Sequence, residues 1–264
     1  MTADAIKQAA ETLRIAEDTS TGCNPIREAF STLETPQRIQ TAYAIKRHNH
    51  RHWQSTRQAS GLKIGLTSAL VRQFLGLEKP DYGLLYRDME LDNDGTLSLA
   101  KFVAPKLEVE WALILGQNIS KPLTSIEALK DKISHICLAF EIVDSRIANW
   151  DVQAMELIAD NGAGGAYLLS ESSVAVNGID LSQHTVELTH NGETMHSLCA
   201  SDELGDPWQH ALWLVNTAIE EGVSLPQGQV LLTGTLTPIA ELNADEHWQA
   251  STVGFHPITL KITQ

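Results

Sequence analysis

Cysteine is scarce in this 264-residue chain: Cys23, Cys137 and Cys199 are widely spaced and odd in number. They make neither a disulfide framework nor a C-x-x-C zinc pattern, so a reducing compartment, the cytoplasm, is expected. Positive charge is also short. Nineteen Lys and Arg face 33 Asp and Glu, a formal net charge of −14. Without a basic face the chain is a poor binder of phosphate backbones, which sets aside nucleic acid and anionic membrane surfaces as partners. A small anionic ligand stays compatible where a cation or a local basic group reverses the sign. No run approaches the ~18 apolar residues of a membrane span. The opening MTADAIKQAAETLRIAED places Asp4, Lys7, Glu11 and Arg14 where a signal peptide needs an apolar stretch. Repeats, low-complexity tracts and obvious linkers are missing as well.

What is present is an ordinary soluble composition, 43% hydrophobic and 20% charged, enough for a sizeable core. Ile6, Ala9, Ala10, Leu13 and Ala16 recur at helical spacing. Thr35-Pro36 reads as an N-cap followed by proline, opening a second helix through Ile39, Ala42 and Tyr43 towards Arg47. Beyond residue ~55 the texture turns to strands. KIGLTS, YGLLY and KLEVEWALIL are β-type, HTVELTHNGETMH reads as a hairpin about Asn191-Gly192, and TVGFHPITLKI closes the chain with alternating Ile258, Leu260 and Ile262. Thr124 to Glu127 has the capping-box pattern. Asp206-Pro207 starts a helix with Trp208, Ala211, Leu212, Val215 and Ile219 on one face and Gly222 as its stop. Strands and helices do not alternate regularly, so the expected class is α+β. A helical segment over residues 1–60 packs on a β-rich body over 61–264 as one functional domain.

The chemistry concentrates in KLEVEWALIL, residues 106–115. Leu107, Val109, Trp111, Leu113 and Leu115 alternate and share one strand face, so Glu108 and Glu110 project together from the other. That face is either wet or built around a hard cation with oxygen ligands. Ala112 and Ile114 continue it with apolar residues, which buries its far end. Glu141 follows the apolar run Ile136–Phe140; it is either the ion-pair partner of Arg146 or a third ligand of the same cation. His48 and His52 stand i, i+4 but have no third ligand, and the run His48-Asn-His50-Arg51-His52 reads as a solvated helix end. Gly162 to Gly165 is no phosphate loop, because the P-loop lysine is missing.

Six segments in register resemble one family: KIGLTS (63–68), PDYGLL (80–85), APKLEVEWALILG (104–116), AFEIVDSRIANW (139–150), IADNGAGGAYLL (158–169) and LLTGTLTP (231–238). Together they are similar to the 2-keto-4-pentenoate hydratase and 4-oxalocrotonate decarboxylase family of the fumarylacetoacetate hydrolase superfamily, over nearly the whole chain. The resemblance implies a mixed β-roll and a divalent metal, Mg²⁺ or Mn²⁺, held by Glu108, Glu110 and Glu141. It implies a small anionic 2-oxo or 2-hydroxy-dienoic acid as substrate, Lys63 and Asp81 as acid/base residues, and Thr233, Gly234 and Thr235 against the substrate carboxylate. Asp160 and Asn161 are expected to bind substrate or order its loop, and Ala163 replaces a serine common in the family. The implied reaction is hydration of a 2-hydroxy-2,4-dienoate in aromatic catabolism. Decarboxylation of 4-oxalocrotonate is the alternative, followed by a longer heptenedioate substrate or a non-catalytic partner role. A homo-oligomer is expected, with association with a pathway enzyme as a further option.

Overall fold

The opening segment is helical because its apolar residues fall on one stripe. In the computed structural model, which describes residues 3–92, 95–171, 174–176 and 178–264, α1 (Ala3–Thr19) buries Ala9, Ala10, Leu13 and Ala16. Helix α2 (Thr35–Trp53) buries Thr41, Ala42, Ile45, Lys46, Asn49 and His50, also one helical stripe. Its cap is Glu34 rather than the expected Thr35. The Glu34 amide donates to Gln37 Oε1 at 3.1 Å in a reciprocal capping box, so Pro36 falls within the first turn, where a missing N–H costs nothing.

The β-rich body runs in chain order through β1 (Ala59–Gly65), α3 (Ala69–Leu75), β2 (Asp81–Tyr86), β3 (Thr96–Ser98), β4 (Lys106–Leu115), α4 (Ile126–Lys130), β5 (Ile133–Val143), α5 (Ala154–Ala159), β6 (Gly164–Leu169), β7 (Thr185–His190), β8 (Glu193–Cys199), α6 (Ala200–Glu203), α7 (Pro207–Glu220), β9 (Val230–Thr235), β10 (Ala240–Glu241), β11 (His247–Ser251) and β12 (Ile258–Thr263). The larger sheet has the order β2-β1-β9-β4-β5-β6, with β10 also on β4, and every pairing is antiparallel except β1–β9. The smaller sheet is β3-β12-β11-β7-β8. The sheets share one core. Trp111 of β4 packs at 4.9 Å between ring centroids on Phe255, and its ring meets His184 edge-on at 5.6 Å. The opposite face of β4 is thereby left for Glu108 and Glu110.

Local signals hold with small shifts. Asn191 and Gly192 take φ of 50° and 85°, the left-handed pair a tight two-residue hairpin turn needs. Asp206 caps α7 by accepting from the Trp208 amide at 2.9 Å, and Gly222 with φ 80° follows its end. Leu214 and Ala218 are buried on α7, while Leu212 and Ile219 are only half-buried. The cap of α4 is Ser125, not Thr124.

A second apolar cluster joins α1 and α2 to the body through Ile147, Met155, Ile158 and Ala159. Polar ties reinforce it. His50 is not solvated: its Nε2 lies 3.0 Å from Asn161 Oδ1, while the flanking His52 stays exposed. Burial, and then the Lys46 ammonium, hold the His50 pKa down at about 4, against the hydrogen bond to Asn161. In the unfolded chain the ring titrates near ~6.5. Between those values the unfolded state binds a proton that the folded state refuses, so stability falls as pH drops through the window. By about pH 5 the loss attributable to His50 is about 2 kcal/mol. Urea unfolding at about pH 7.5 and about pH 5 should therefore show a smaller acid loss for His50→Gln than for wild type, by that amount. Equal losses would remove His50 as the cause.

Candidate active site

Strand alternation places Glu108 and Glu110 on one face of β4, and the β4–β5 register sets Glu141 directly opposite Glu108. One carboxylate oxygen from each lies within 4.8 Å of the others, the only such metal-capable group among the described residues. Glu110 and Glu141 are fully buried and Glu108 is half-buried. Burial, and then the Glu141 carboxylate, push the Glu108 pKa up to about 7. Burial together with Glu141 and Glu108 drives Glu110 well above the usual carboxylate range. Like charges taken out of water destabilise one another unless compensated.

Compensation within the chain is partial. Lys63, buried on β1, brings its Nζ 2.9 Å from Glu141 Oε1 and donates to the Gly162 carbonyl at 2.7 Å. Burial works against its charge, but Glu141, Glu108 and Glu110 outweigh burial and its pKa is raised. One backbone donor also helps. Between Glu110 and Ala112 the β4–β9 ladder bulges, Gly234 takes φ 103°, and its amide donates to Glu110 Oε2 at 2.7 Å. A side chain at Gly234 would meet Leu204 and Thr67 at 2.8 Å, so glycine is required there. Glu110 Oε1 and Glu141 Oε2 are left buried without a hydrogen-bond partner.

Glu108 alone of the three carboxylates lines a cavity of ≈ 290 Å³, whose polar side also carries Lys63, Thr67, Ser68, Asp81, Gly162, Ala163, Gly234 and Thr235; Glu110 and Glu141 lie behind Glu108. The remaining wall of the cavity is largely apolar: Ile64, Leu66, Val71, Val143, Trp150, Val152, Leu157 and Ile239. Non-glycine residues in the left-handed region gather here, with Leu66 at φ 59°, Trp150 at 52° and Ala163 at 56°, a conformation held against local preference.

Several expected substrate contacts are engaged elsewhere. Arg146 pairs with Asp160, Nε to Oδ1 at 2.5 Å, and not with Glu141; its other nitrogens hold the Gly164 and Asp160 carbonyls. Asn161 donates from Nδ2 to the Leu84 carbonyl at 2.9 Å and accepts at Oδ1 from the Leu84 amide at 2.8 Å, so its side chain completes the edge of β2. Neither Asp160 nor Asn161 lines the cavity; both hold the loop that supplies Gly162 and Ala163. Thr233 Oγ1 donates to the Trp111 carbonyl and Thr235 Oγ1 to the Thr237 carbonyl, leaving those hydroxyls committed within the protein. Thr233 lies outside the lining, whereas Gly234 and Thr235 belong to it. A residue not anticipated is Lys46, whose buried Nζ sits 2.8 Å from Asp81 Oδ1 and 2.8 Å from the Tyr82 carbonyl. Its signal was its place one residue after Ile45 and four after Ala42, on the buried stripe of α2.

Three clustered carboxylates, orphaned buried oxygens and a single lysine fit a hard divalent cation with oxygen ligands. The comparisons agree with this chemistry. The family model described as fumarylacetoacetate (FAA) hydrolase C-terminal matches residues 89–261. A 2-keto-4-pentenoate hydratase of Paraburkholderia xenovorans (strain LB400) is 32% identical over 240 residues, covering 90% of this chain and 88% of that protein. The solved structure of 4-oxalocrotonate decarboxylase from Pseudomonas putida G7 with magnesium and adipate superposes with TM-score 0.90 at 22% identity, covering 99% of this chain and 98% of the other. The same enzyme with calcium and acetate gives 0.88 at 21% identity, with coverage again 99% and 98%. A mixed α+β fold of this type and a sequence match of this length lead to one assignment: the chain belongs to the fumarylacetoacetate hydrolase family and, within it, groups with the 2-keto-4-pentenoate hydratases.

Proposed function

We propose that the chain is a divalent-metal-dependent hydratase that adds water to a 2-hydroxy-2,4-dienoate of the 2-keto-4-pentenoate type, giving a 4-hydroxy-2-oxo acid. The observation that carries this is the carboxylate trio Glu108, Glu110 and Glu141, reached from the cavity through Glu108, with Lys63 and Asp81 on the cavity wall. The three glutamates hold the cation, Mg²⁺ or Mn²⁺, their lone pairs being committed as ligands rather than bases. When bound there, the cation supplies Lewis acidity that stabilises negative charge on the substrate's C2 oxygen. It also reverses the local sign, so a chain of net charge −14 accepts an anion.

In this reading the chain's own residues move the protons. Lys63, fixed between Glu141 and the Gly162 carbonyl, delivers a proton at C5 and recovers the one lost from the C2 hydroxyl as the enol becomes a 2-oxo-3-enoate. Asp81 then accepts a proton from water as oxygen bonds to C4 and returns it to C3, so the net change is one water added across C3=C4 and Asp81 is regenerated. Gly234 and Thr235 border the substrate through their backbone, and Asp160 and Asn161 act through the loop they hold. Helix α2 serves the site through Lys46 and Asp81, which supports one functional domain built from the helical segment and the body.

A specific feature supports hydration over the decarboxylase chemistry of a diacid. Among the described lining residues Lys63 is the single cationic side chain, and it is engaged with Glu141. Beyond Lys63, the lining would meet a second substrate carboxylate with apolar residues and the hydroxyl-bearing Thr67 and Ser68 but with no counter-charge. The remaining elements of the reading are assembly and location. Exposed Leu70 and Phe74 of α3 supply apolar surface for a homo-oligomer, and three free thiols suit the cytoplasm. No helix of the described residues is long and apolar enough to cross a membrane.

Two outcomes check the reading. Freshly generated 2-hydroxypenta-2,4-dienoate should lose its ultraviolet band with Mg²⁺ and not with EDTA, the product gaining the mass of one water. Mg²⁺ should raise the melting temperature of wild type, whereas Glu108→Gln should fold at least as stably without metal, because one like charge is gone, and lose the Mg²⁺ shift and the activity. Full activity of that variant at limiting Mg²⁺ would remove Glu108 as a ligand. The apolar wall sets the second expectation. The 2-hydroxyhexa-2,4-dienoate homologue, with one more methyl group, should be turned over with kcat/KM up to about fourfold higher, about 0.8 kcal/mol for a buried carbon. A diacid homologue preferred over both would reverse the substrate assignment.

A further inference from the structure

Asp81 opens β2 at the cavity wall and is 2% exposed. A carboxylate so buried is normally driven neutral, and burial does raise its pKa. The opposing charge is Lys46, 1% exposed on α2, a residue with no part in the cation site. Its ammonium makes two hydrogen bonds, to Asp81 Oδ1 and to the Tyr82 carbonyl, both at 2.8 Å. It also lies over the rings of Tyr82 at 4.2 Å and Tyr43 at 4.8 Å. Asp81 Oδ1 is thus fixed by Lys46, the Tyr43 hydroxyl and the Tyr82 amide also bear on the carboxylate, and the buried Oδ2 has no geometric partner of its own.

We propose that Lys46 is the positioning residue of the proton-transfer step: it holds Asp81 as an oriented carboxylate, with Oδ1 fixed and Oδ2 as the acceptor for a proton from water. This rests on the hydratase reading for the reaction itself, and on geometry for the pair. Other charged or titratable groups facing Asp81 do not supply the same function. Lys63 on β1 is committed to Glu141 and the Gly162 carbonyl. The hydroxyls of Tyr43 and Tyr82 are themselves pushed up, by burial first and then by Asp81 or Glu221, and stay neutral donors. Glu221 bonds the Tyr82 hydroxyl at 3.1 Å and adds negative charge. Lys46 is therefore the cation that both touches Asp81 and is free of the carboxylate trio.

A purely structural pair tying α2 to β2 is separable by its readouts. Lys46→Gln keeps an N–H donor and removes the charge; Lys46→Arg keeps the charge. In Lys46→Gln the acid limb of the kcat profile should move up by about one pH unit, roughly a tenfold loss on that limb, with KM and Mg²⁺ affinity kept. Infrared spectra without substrate should gain a protonated-carboxyl band in Lys46→Gln that is absent from the Lys46→Gln/Asp81→Asn double variant. Lys46→Arg should keep the wild-type limb. A wild-type pH profile with no new band in Lys46→Gln would overturn the proposal. Should Lys46→Gln fail to fold, a folded Lys46→Arg with its limb displaced upward would overturn it equally, and a wild-type limb would support it. The infrared band is read without turnover, so an inactive wild type would defeat the hydratase reading and leave the Lys46–Asp81 pair tested on its own.

Discussion

Mutual repulsion among Glu108, Glu110 and Glu141 is the constraint around which the neighbouring structure is arranged. Like charges directly opposite on paired strands destabilise a sheet, and Glu108 faces Glu141 across β4 and β5. The surroundings answer with one ammonium and one backbone amide: Lys63 on Glu141 and the bulged Gly234 on Glu110. That is one full charge against three carboxylates, with oxygens on Glu110 and Glu141 still unpartnered. A core with Trp111, Phe140 and Leu113 at 0% exposure has every means to replace two buried glutamates by apolar residues. A cation bound by the trio, as proposed above, would supply the compensation that the fold withholds.

The loop that feeds the site is held from behind by interactions that never reach the cavity. Arg146 fixes Asp160 with side-chain and backbone bonds, Asn161 substitutes for a strand neighbour of Leu84, and His50 caps Asn161 from α2. With those anchors, Asn161, Gly162 and Ala163 all adopt positive φ, and the Gly162 carbonyl is aimed at Lys63. A Cβ at Gly162 would come within 3.4 Å of the Lys63 side chain, so the loop and the lysine are fitted to one another. Strain of this kind persists where the surroundings over-determine it. Here the surroundings are the buried Arg146–Asp160 pair and α2, from which His50 reaches Asn161 over a sequence separation of 111 residues.

What could be read without coordinates divides along the range of the interaction. Alternation put Glu108 and Glu110 on one face because strand periodicity is local, and the hairpin at Asn191-Gly192 and the Asp206 cap are local too. The partner of Glu141 was open between Arg146 and a cation because pairing across strands leaves no mark on spacing; the fold sends Arg146 to Asp160 and Lys63 to Glu141. Only the family resemblance put the Thr233-Gly234-Thr235 run near the substrate, and the bulge that turns the Gly234 amide onto Glu110 had no mark in the sequence. Caps slipped by one residue, to Glu34 and Ser125, since neighbouring polar side chains compete for the same amides. Lys46 and His50 were hidden by their type: residues that usually seek water lie on the buried stripe of α2.

The distribution of charge around the cavity also bears on how a substrate is chosen. An anionic head group must be neutralised, and the one cationic side chain of the lining, Lys63, stands where the carboxylate trio would hold a cation under the proposed reading. The rest of the lining carries no counter-ion among its described residues, and Ala163 presents a methyl group where a serine would present a hydroxyl. Recognition of the tail therefore depends on shape and apolar contact, which discriminate homologues by only about 1–3 kcal/mol per methylene. A charged tail, in contrast, would be buried without a partner and rejected more steeply. The same asymmetry that makes the head-group end dependent on a cation leaves the tail end tolerant of alkyl length and intolerant of a second charge.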